Sequence, residues 1–312
     1  MAKKKVTVIG AGNVGATCAQ RFVEHKLADV VLLDVVDGLA EGKALDIMQS
    51  ASVLGFDNII EGTTDFKKTR DSHVIIITAG LARKPGMSRD DLLAKNANIM
   101  KTVISQVAPL SPKAVIIVVT NPLDVMCYIA KKYSKFPNSR IIGMAGELDG
   151  ARFSHFVREE IGAKASKMKS IVLGTHGDAM VTIPRLSKIG TKKIDTIFSS
   201  KKLNQLIERT KNGGAEIVSL LKNGSAYYAP SAAAFVMARS ILTDSKETFS
   251  SSVYLDGQYG IEDTFCGVQV ILGKKGIVEI LDVKLTPEEL VLLQASAESI
   301  KKNIEKVQAL GF

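Results

Sequence analysis

The segment KVTVIGAGNVG, residues 5–15, decides how the rest of the chain is read. Its first five residues form a β-branched apolar run of strand length. Gly10, Ala11, Gly12, Asn13, Val14 and Gly15 then turn that run into a helix. In such a turn Gly10 permits the tight bend, Gly12 lets backbone approach a pyrophosphate, and Gly15 lets helix and strand pack closely. The helix start presents unpaired N–H groups and a partial positive charge to phosphates. Glycine-rich turns are common, so the context has to carry the argument. A second apolar run, residues 30–33 (VVLL), leads into Asp34, 19 residues past Gly15. A carboxylate there accepts hydrogen bonds from ribose hydroxyls and repels an added 2′-phosphate, which favours NAD over NADP.

Working outward, the apolar runs continue at residues 74–78 (VIIIT), 114–120 (AVIIVVT) and 140–142 (RII). Continuous rather than alternating apolar character marks strands covered on both faces. Residues 14–25 and 96–108 between them have helical length. Strand–helix alternation predicts right-handed βαβ units in a doubly wound parallel sheet of Rossmann type. After residue 148 the pattern changes. A strand at 170–173 precedes a helix over 203–222, expected to break near Gly213 and Gly214, and another helix over 231–242. Strand runs at 252–255, 267–272 and 277–281 follow, the first ending on an Asp256–Gly257 turn signal. Thr286, Pro287 and Glu289 form a capping box ahead of a final amphipathic helix carrying Leu290, Leu293, Ala297, Ile300, Ile304 and Val307. The expected class is α/β, with a Rossmann-type doubly wound parallel sheet over residues 1–148 and an α+β domain over 149–312.

Composition narrows the options. With 312 residues, 46% hydrophobic and 23% charged, the chain can build a full core. Its longest apolar runs fall far short of the ~20 residues needed to span a bilayer. The basic start, MAKKK, leads straight into the glycine-rich turn rather than a secretion signal, so the cytoplasm is the expected compartment. Cys18, Cys127 and Cys266 are sparse and in no metal-like spacing, so no metal is expected and the thiols should be reduced. The net charge of +9 raises the possibility of nucleic acid. Its lysines are scattered pairs without interleaved aromatics, however, which reads as solvated surface.

The chemistry-bearing residues sit past the ends of strands. Of the four histidines, only His176 lies in a glycine-flanked loop, GTHGD at 174–178. A histidine titrating near neutrality suits proton transfer in both directions of an alcohol oxidation. Asp149 and Arg152, in ELDGARF at 147–153, share a helix face at i,i+3. Asp149 can orient an imidazole, and Arg152 can grip a carboxylate with both prongs. The same spacing is also the commoner mark of a surface ion pair. Segment 80–91 (GLARKPGMSRDD) carries Arg83 and Arg89 between a strand and a helix. It has the makings of a closing lid, Arg89 polarising a carbonyl and Arg83 binding a second anionic group, or of a plain solvated loop. Asn121, in the Val119-Thr120-Asn121-Pro122 turn, stands where ligands bind beyond parallel strands.

GAGNVG, RKPGMSR, VTNP, LDGARF and GTHGD together resemble the lactate/malate dehydrogenase family, over essentially the whole chain and in the family's order. Within it the chain is similar to the malate dehydrogenases of the lactate-dehydrogenase-like group. The resemblance implies an NAD-dependent oxidoreductase with His176 as proton acceptor, Asp149 as its partner and Arg152 as the clamp on the C1 carboxylate. It implies that Arg89 works on the reacting oxygen, that Asn121 contacts substrate, and that Asn96 with Val119, Thr120 and Asn121 helps hold NAD. Arg83 stands where lactate enzymes of the family commonly carry glutamine, which points to malate and oxaloacetate. Lactate or dual specificity is the nearest rival, and a nonenzymatic basic protein on an NAD fold the remote one. A homo-oligomer is implied, a tetramer before a dimer. The chain departs from the pattern at Gly150, where serine is frequent, and at Thr175.

Overall fold

Runs of valine and isoleucine with both faces covered form the centre of the sheet. In the computed structural model, which describes residues 3–81, 88–162, 164 and 168–312, the first half gives β1 (Lys5–Ile9), α1 (Asn13–Glu24), β2 (Asp29–Leu33), α2 (Leu39–Gln49), α3 (Ala51–Leu54) and β3 (Ile60–Thr63). It continues with β4 (Val74–Ile77), α4 (Arg89–Leu110), β5 (Val115–Val118), α5 (Leu123–Ser134) and β6 (Ile141–Met144). Arg83 and the middle of the 80–91 segment lie outside the described residues. Every residue of β4, β5 and β6 is buried. These strands run parallel in the order β3-β2-β1-β4-β5-β6, the doubly wound arrangement the sequence predicts.

The second half gives α6 (Gly146–Ile161), β7 (Met168–Lys169), β8 (Val172–Gly174), β9 (Met180–Thr182), β10 (Lys188–Ile189), β11 (Lys192–Lys193), α7 (Ser200–Leu221) and α8 (Tyr228–Thr243). A meander of β12 (Glu247–Leu255), β13 (Thr264–Gly273) and β14 (Gly276–Ile280) precedes α9 (Pro287–Ala309). Long β12 pairs antiparallel with β6 through Ser251–Met144 and Ser252–Gly143. The parallel half therefore runs without a gap into the antiparallel half. One continuous apolar core follows that sheet, and a smaller cluster of Phe153, Phe156, Val157, Ile194, Leu203 and Leu206 joins α6 to α7.

The structure corrects several expectations. β3, α2 and α3 were not anticipated. β3 reads Ile-Glu-Gly-Thr and lies at the sheet edge, so it lacks the continuous apolar signal of its neighbours. α4 begins at Arg89 rather than near 96, because Ser88 caps it in a box with Asp91. Most consequentially, α7 does not break at Gly213 and Gly214. A side chain at Gly213 would sit 3.2 Å from Arg152 Cδ, and one at Gly214 would sit 3.4 Å from its Nη2. The glycines are there so that α7 can lie close against that arginine. The final helix matches expectation: Thr286 and Glu289 close a capping box, and Leu293, Ala297, Ile300, Ile304 and Val307 are buried.

Candidate active site

The glycine-rich turn joins β1 to α1 as its residue types demand. Gly10 takes φ +98°, and a Cβ on Gly15 would lie only 1.8 Å from the Gly10 carbonyl oxygen. No side chain caps the N-terminus of α1. A Cβ at Gly12 would meet only open space. Asp34, at the end of β2, accepts from the Ala11 N–H at 2.6 Å and from the Val36 N–H at 3.0 Å. A free helix N-terminus, open space over Gly12 and a carboxylate at the loop's flank fit a dinucleotide.

From Val14 a cleft of about 540 Å³ leads past Val119, Thr120 and Asn121 to Arg152 and His176. Its walls come from the carboxyl end of the parallel strands, from the His176 loop after β8, and from α7. Asn96 is buried beside it and spends its amide on the protein. Its Oδ1 accepts from the Leu81 N–H at 2.8 Å, and its Nδ2 donates to the carbonyl oxygens of Asn121 at 2.7 Å and Leu81 at 3.2 Å. Thr120 is spent likewise, its hydroxyl donating to the Ala79 carbonyl at 2.8 Å. These two side chains brace the turn that presents Asn121.

His176, 27 residues beyond Asp149 in the chain, meets the Asp149–Arg152 pair of α6 at the floor. His176 Nδ1 lies 2.9 Å from Asp149 Oδ2, and Arg152 Nη1 lies 3.4 Å from Asp149 Oδ1. Asp149 is 1% exposed, so its charge is shielded from water and faces these two partners. Burial works against a charged His176, yet the Asp149 carboxylate outweighs it by charge and hydrogen bond; with Asp124 helping and Arg152 opposing, the imidazole pKa is raised. Arg152 is pushed down by burial and held up by Asp149. Its Nε is buried and has no hydrogen-bond partner among the described residues. A mostly buried guanidinium with a free N–H has the chemistry to bind an anion.

Not every candidate joins this floor. Arg89 is the exposed first residue of α4 and does not line the cleft. Three contributors escaped the sequence reading. Lys211 and Gly214 line the cleft from α7, because that helix packs on α6, a placement no local motif announces. Asp124 lies fully buried behind His176. Its signal was available: a lone carboxylate between Leu123 and the apolar residues Val125, Met126 and Cys127.

Known proteins resemble this chain along its whole length. Residues 4–143 match the lactate/malate dehydrogenase NAD binding domain, and residues 146–310 match the alpha/beta C-terminal domain of the same family. The chain belongs to the lactate/malate dehydrogenase family. A malate dehydrogenase of Chlorobium luteolum is 49% identical over 98% of this chain and 99% of its own length. The solved malate dehydrogenase of Salinibacter ruber superposes with a TM-score of 0.94 at 44% identity, covering 98% of both chains. A Cryptosporidium parvum lactate dehydrogenase, solved with lactic acid and NAD, superposes equally well (TM-score 0.94) at 35% identity over 98% of both chains.

Proposed function

We propose that this chain is an NAD-dependent malate dehydrogenase, interconverting (S)-malate and oxaloacetate. The observation that carries the reading is the buried His176–Asp149–Arg152 cluster at the end of a cleft that begins at the dinucleotide turn. With Nδ1 committed to Asp149, His176 keeps Nε2 for the substrate hydroxyl. In malate oxidation neutral His176 takes the hydroxyl proton, and in the reverse direction the imidazolium returns it. Asp149 fixes the tautomer and stabilises the imidazolium. Arg152 binds the carboxylate next to the reacting carbon, satisfying the guanidinium that the fold leaves short of partners. NAD, when bound, supplies the acceptor for the hydride leaving that carbon. The turn of Gly10, Ala11, Gly12, Asn13, Val14 and Gly15 holds its pyrophosphate. Asp34 holds the adenosine ribose, and Val119, Thr120 and Asn121, braced by Asn96, flank the nicotinamide. Arg83 neutralises the distal carboxylate, and Arg89 polarises the reacting oxygen once the 80–91 segment folds over substrate.

Residues 1–148 form the NAD-binding domain and 149–312 the catalytic domain. The enzyme works in the cytoplasm, as three free, buried cysteines befit. It assembles as a homo-oligomer, a tetramer before a dimer, and the exposed apolar residues Val35, Val36, Leu45, Val53 and Leu54 on and before α2 and α3 support assembly. Among the described residues no helix is long and apolar enough to cross a membrane.

NADH absorbance with malate and oxaloacetate tests the activity. His176→Asn should lower kcat by about a hundredfold or more while NADH binding persists. Arg83→Gln should weaken oxaloacetate use at least tenfold more than pyruvate use, since an unpaired buried charge is costly. Equal losses on both substrates would remove Arg83 from the reading of the second carboxylate.

A further inference from the structure

Behind the His176 loop lies a second buried carboxylate that the reaction itself does not use. Asp124 is 3% exposed, in the first turn of α5 and three residues after Asn121. Its oxygens are spent not on its own helix but on distant residues. Thr175 Oγ1 donates to Oδ2 at 2.5 Å, the His176 N–H reaches the same oxygen at 3.4 Å, and Ser252 Oγ donates to Oδ1 at 2.6 Å. The Thr175 N–H is tied in turn to Ser296 Oγ on α9 at 2.8 Å. Burying a carboxylate is expensive: burial raises the pKa of Asp124, and the hydrogen bonds from Ser252 and Thr175, with His176 nearby, oppose that rise. An apolar residue would fill the space at lower cost. What the carboxylate achieves is a link between the Asn121 turn and the peptide that carries the proton acceptor.

We propose that Asp124 is a positioning residue for His176, fixing its loop through the Thr175 hydroxyl and the His176 amide so that the imidazole and Asn121 face one another across the cleft at a set distance. This rests on the reading of His176 as proton acceptor. Among the described residues, Asp149, Arg152 and Asp124 are the charged groups that act on His176, and the thiols of Cys127 and Cys266 also feel Asp124. Thr175, where the chain departs from its family's usual residues, becomes part of the brace.

The test compares the parent enzyme with Asp124→Asn and Thr175→Val, using malate and NAD across pH, with thermal unfolding followed alongside. Asp124→Asn keeps the shape and can still accept from Thr175 while donating to Ser252, but it removes the negative charge. The charge adds to the pull of Asp149 on the imidazolium, so its loss should move the His176-governed limb to lower pH. It should also lower kcat/KM for malate about tenfold, with KM for NAD within about twofold. Thr175→Val should lower kcat several-fold without moving the limb as far. If Asp124→Asn unfolds, Thr175→Val decides: a several-fold loss of kcat supports the brace and an unchanged kcat overturns it. An Asp124→Asn enzyme that merely melts earlier, with rate and limb unchanged, overturns it too. A parent inactive on malate would defeat the reading of His176 itself, and this inference with it.

Discussion

At the scale of single residues, the site is a balance of buried charges, and Glu147 shows what imbalance costs. Two positions before Asp149, it is pushed up to about 7 by burial, with the Glu247 carboxylate adding to the effect. An unfolded glutamate titrates near ~4.3. Between those values the fold holds a proton that the unfolded chain has released. The stabilising contribution is therefore present below about pH 4.3 and is lost as pH rises towards about 7. Glu147→Gln should raise Tm at pH 8 by about 2–6 °C and change it much less at pH 5. An equal change at both pH values, seen by scanning calorimetry, would show that the carboxyl's charge is not what matters. Asp149 is the opposite case, a buried carboxylate with a histidine and an arginine to answer it. That contrast was partly legible in the sequence. Spacing put Asp149 and Arg152 on one face, but only the packing of β8 against α6 brings His176 to the pair, 27 residues on.

Among the elements, α7 explains why one expectation about the second half failed. Two adjacent glycines in a helical stretch read as a break because each costs about 1 kcal/mol relative to alanine. Here they are retained because Arg152 occupies the space their side chains would take. Gly214→Val should leave α7 intact, since valine is the better helix former. It should nonetheless displace the guanidinium, raising KM for malate at least tenfold with KM for NAD nearly unchanged. A variant with unaltered KM for malate would mean that Arg152 does not need that approach. The elements that were legible carried their signal locally: β4 and β5 in unbroken valine and isoleucine, β1 in its β-branched run, α1 in its glycine turn, and α9 in its capping box. Edge strand β3 and helices α2 and α3, with few buried residues, carried little.

For the whole molecule, one sheet unites cofactor and substrate halves through the antiparallel seam between β6 and β12. The seam puts Ser252, and through it Asp124, next to the start of α6 and the Asp149–Arg152 pair. The Rossmann half was readable because phosphate binding demands particular residues in a local motif, and of the candidate site the sequence offered His176 in its glycine-flanked loop and Asp149 with Arg152 on one helix face. The substrate wall was not, because Lys211 and Gly214 reach the cleft only by tertiary packing. On the proposed reading, what separates this chain from lactate dehydrogenases is a matter of charge count. On that reading Arg152 holds one carboxylate and Arg83 a second, so the second cation is surplus unless the substrate brings a second carboxylate. The direct test is steady-state reduction of oxaloacetate and of pyruvate by the parent enzyme with NADH. A kcat/KM for oxaloacetate at least a hundredfold above that for pyruvate is predicted, in keeping with the cost of leaving a buried cation unpaired. Equal values, or a preference for pyruvate, would contradict the assignment.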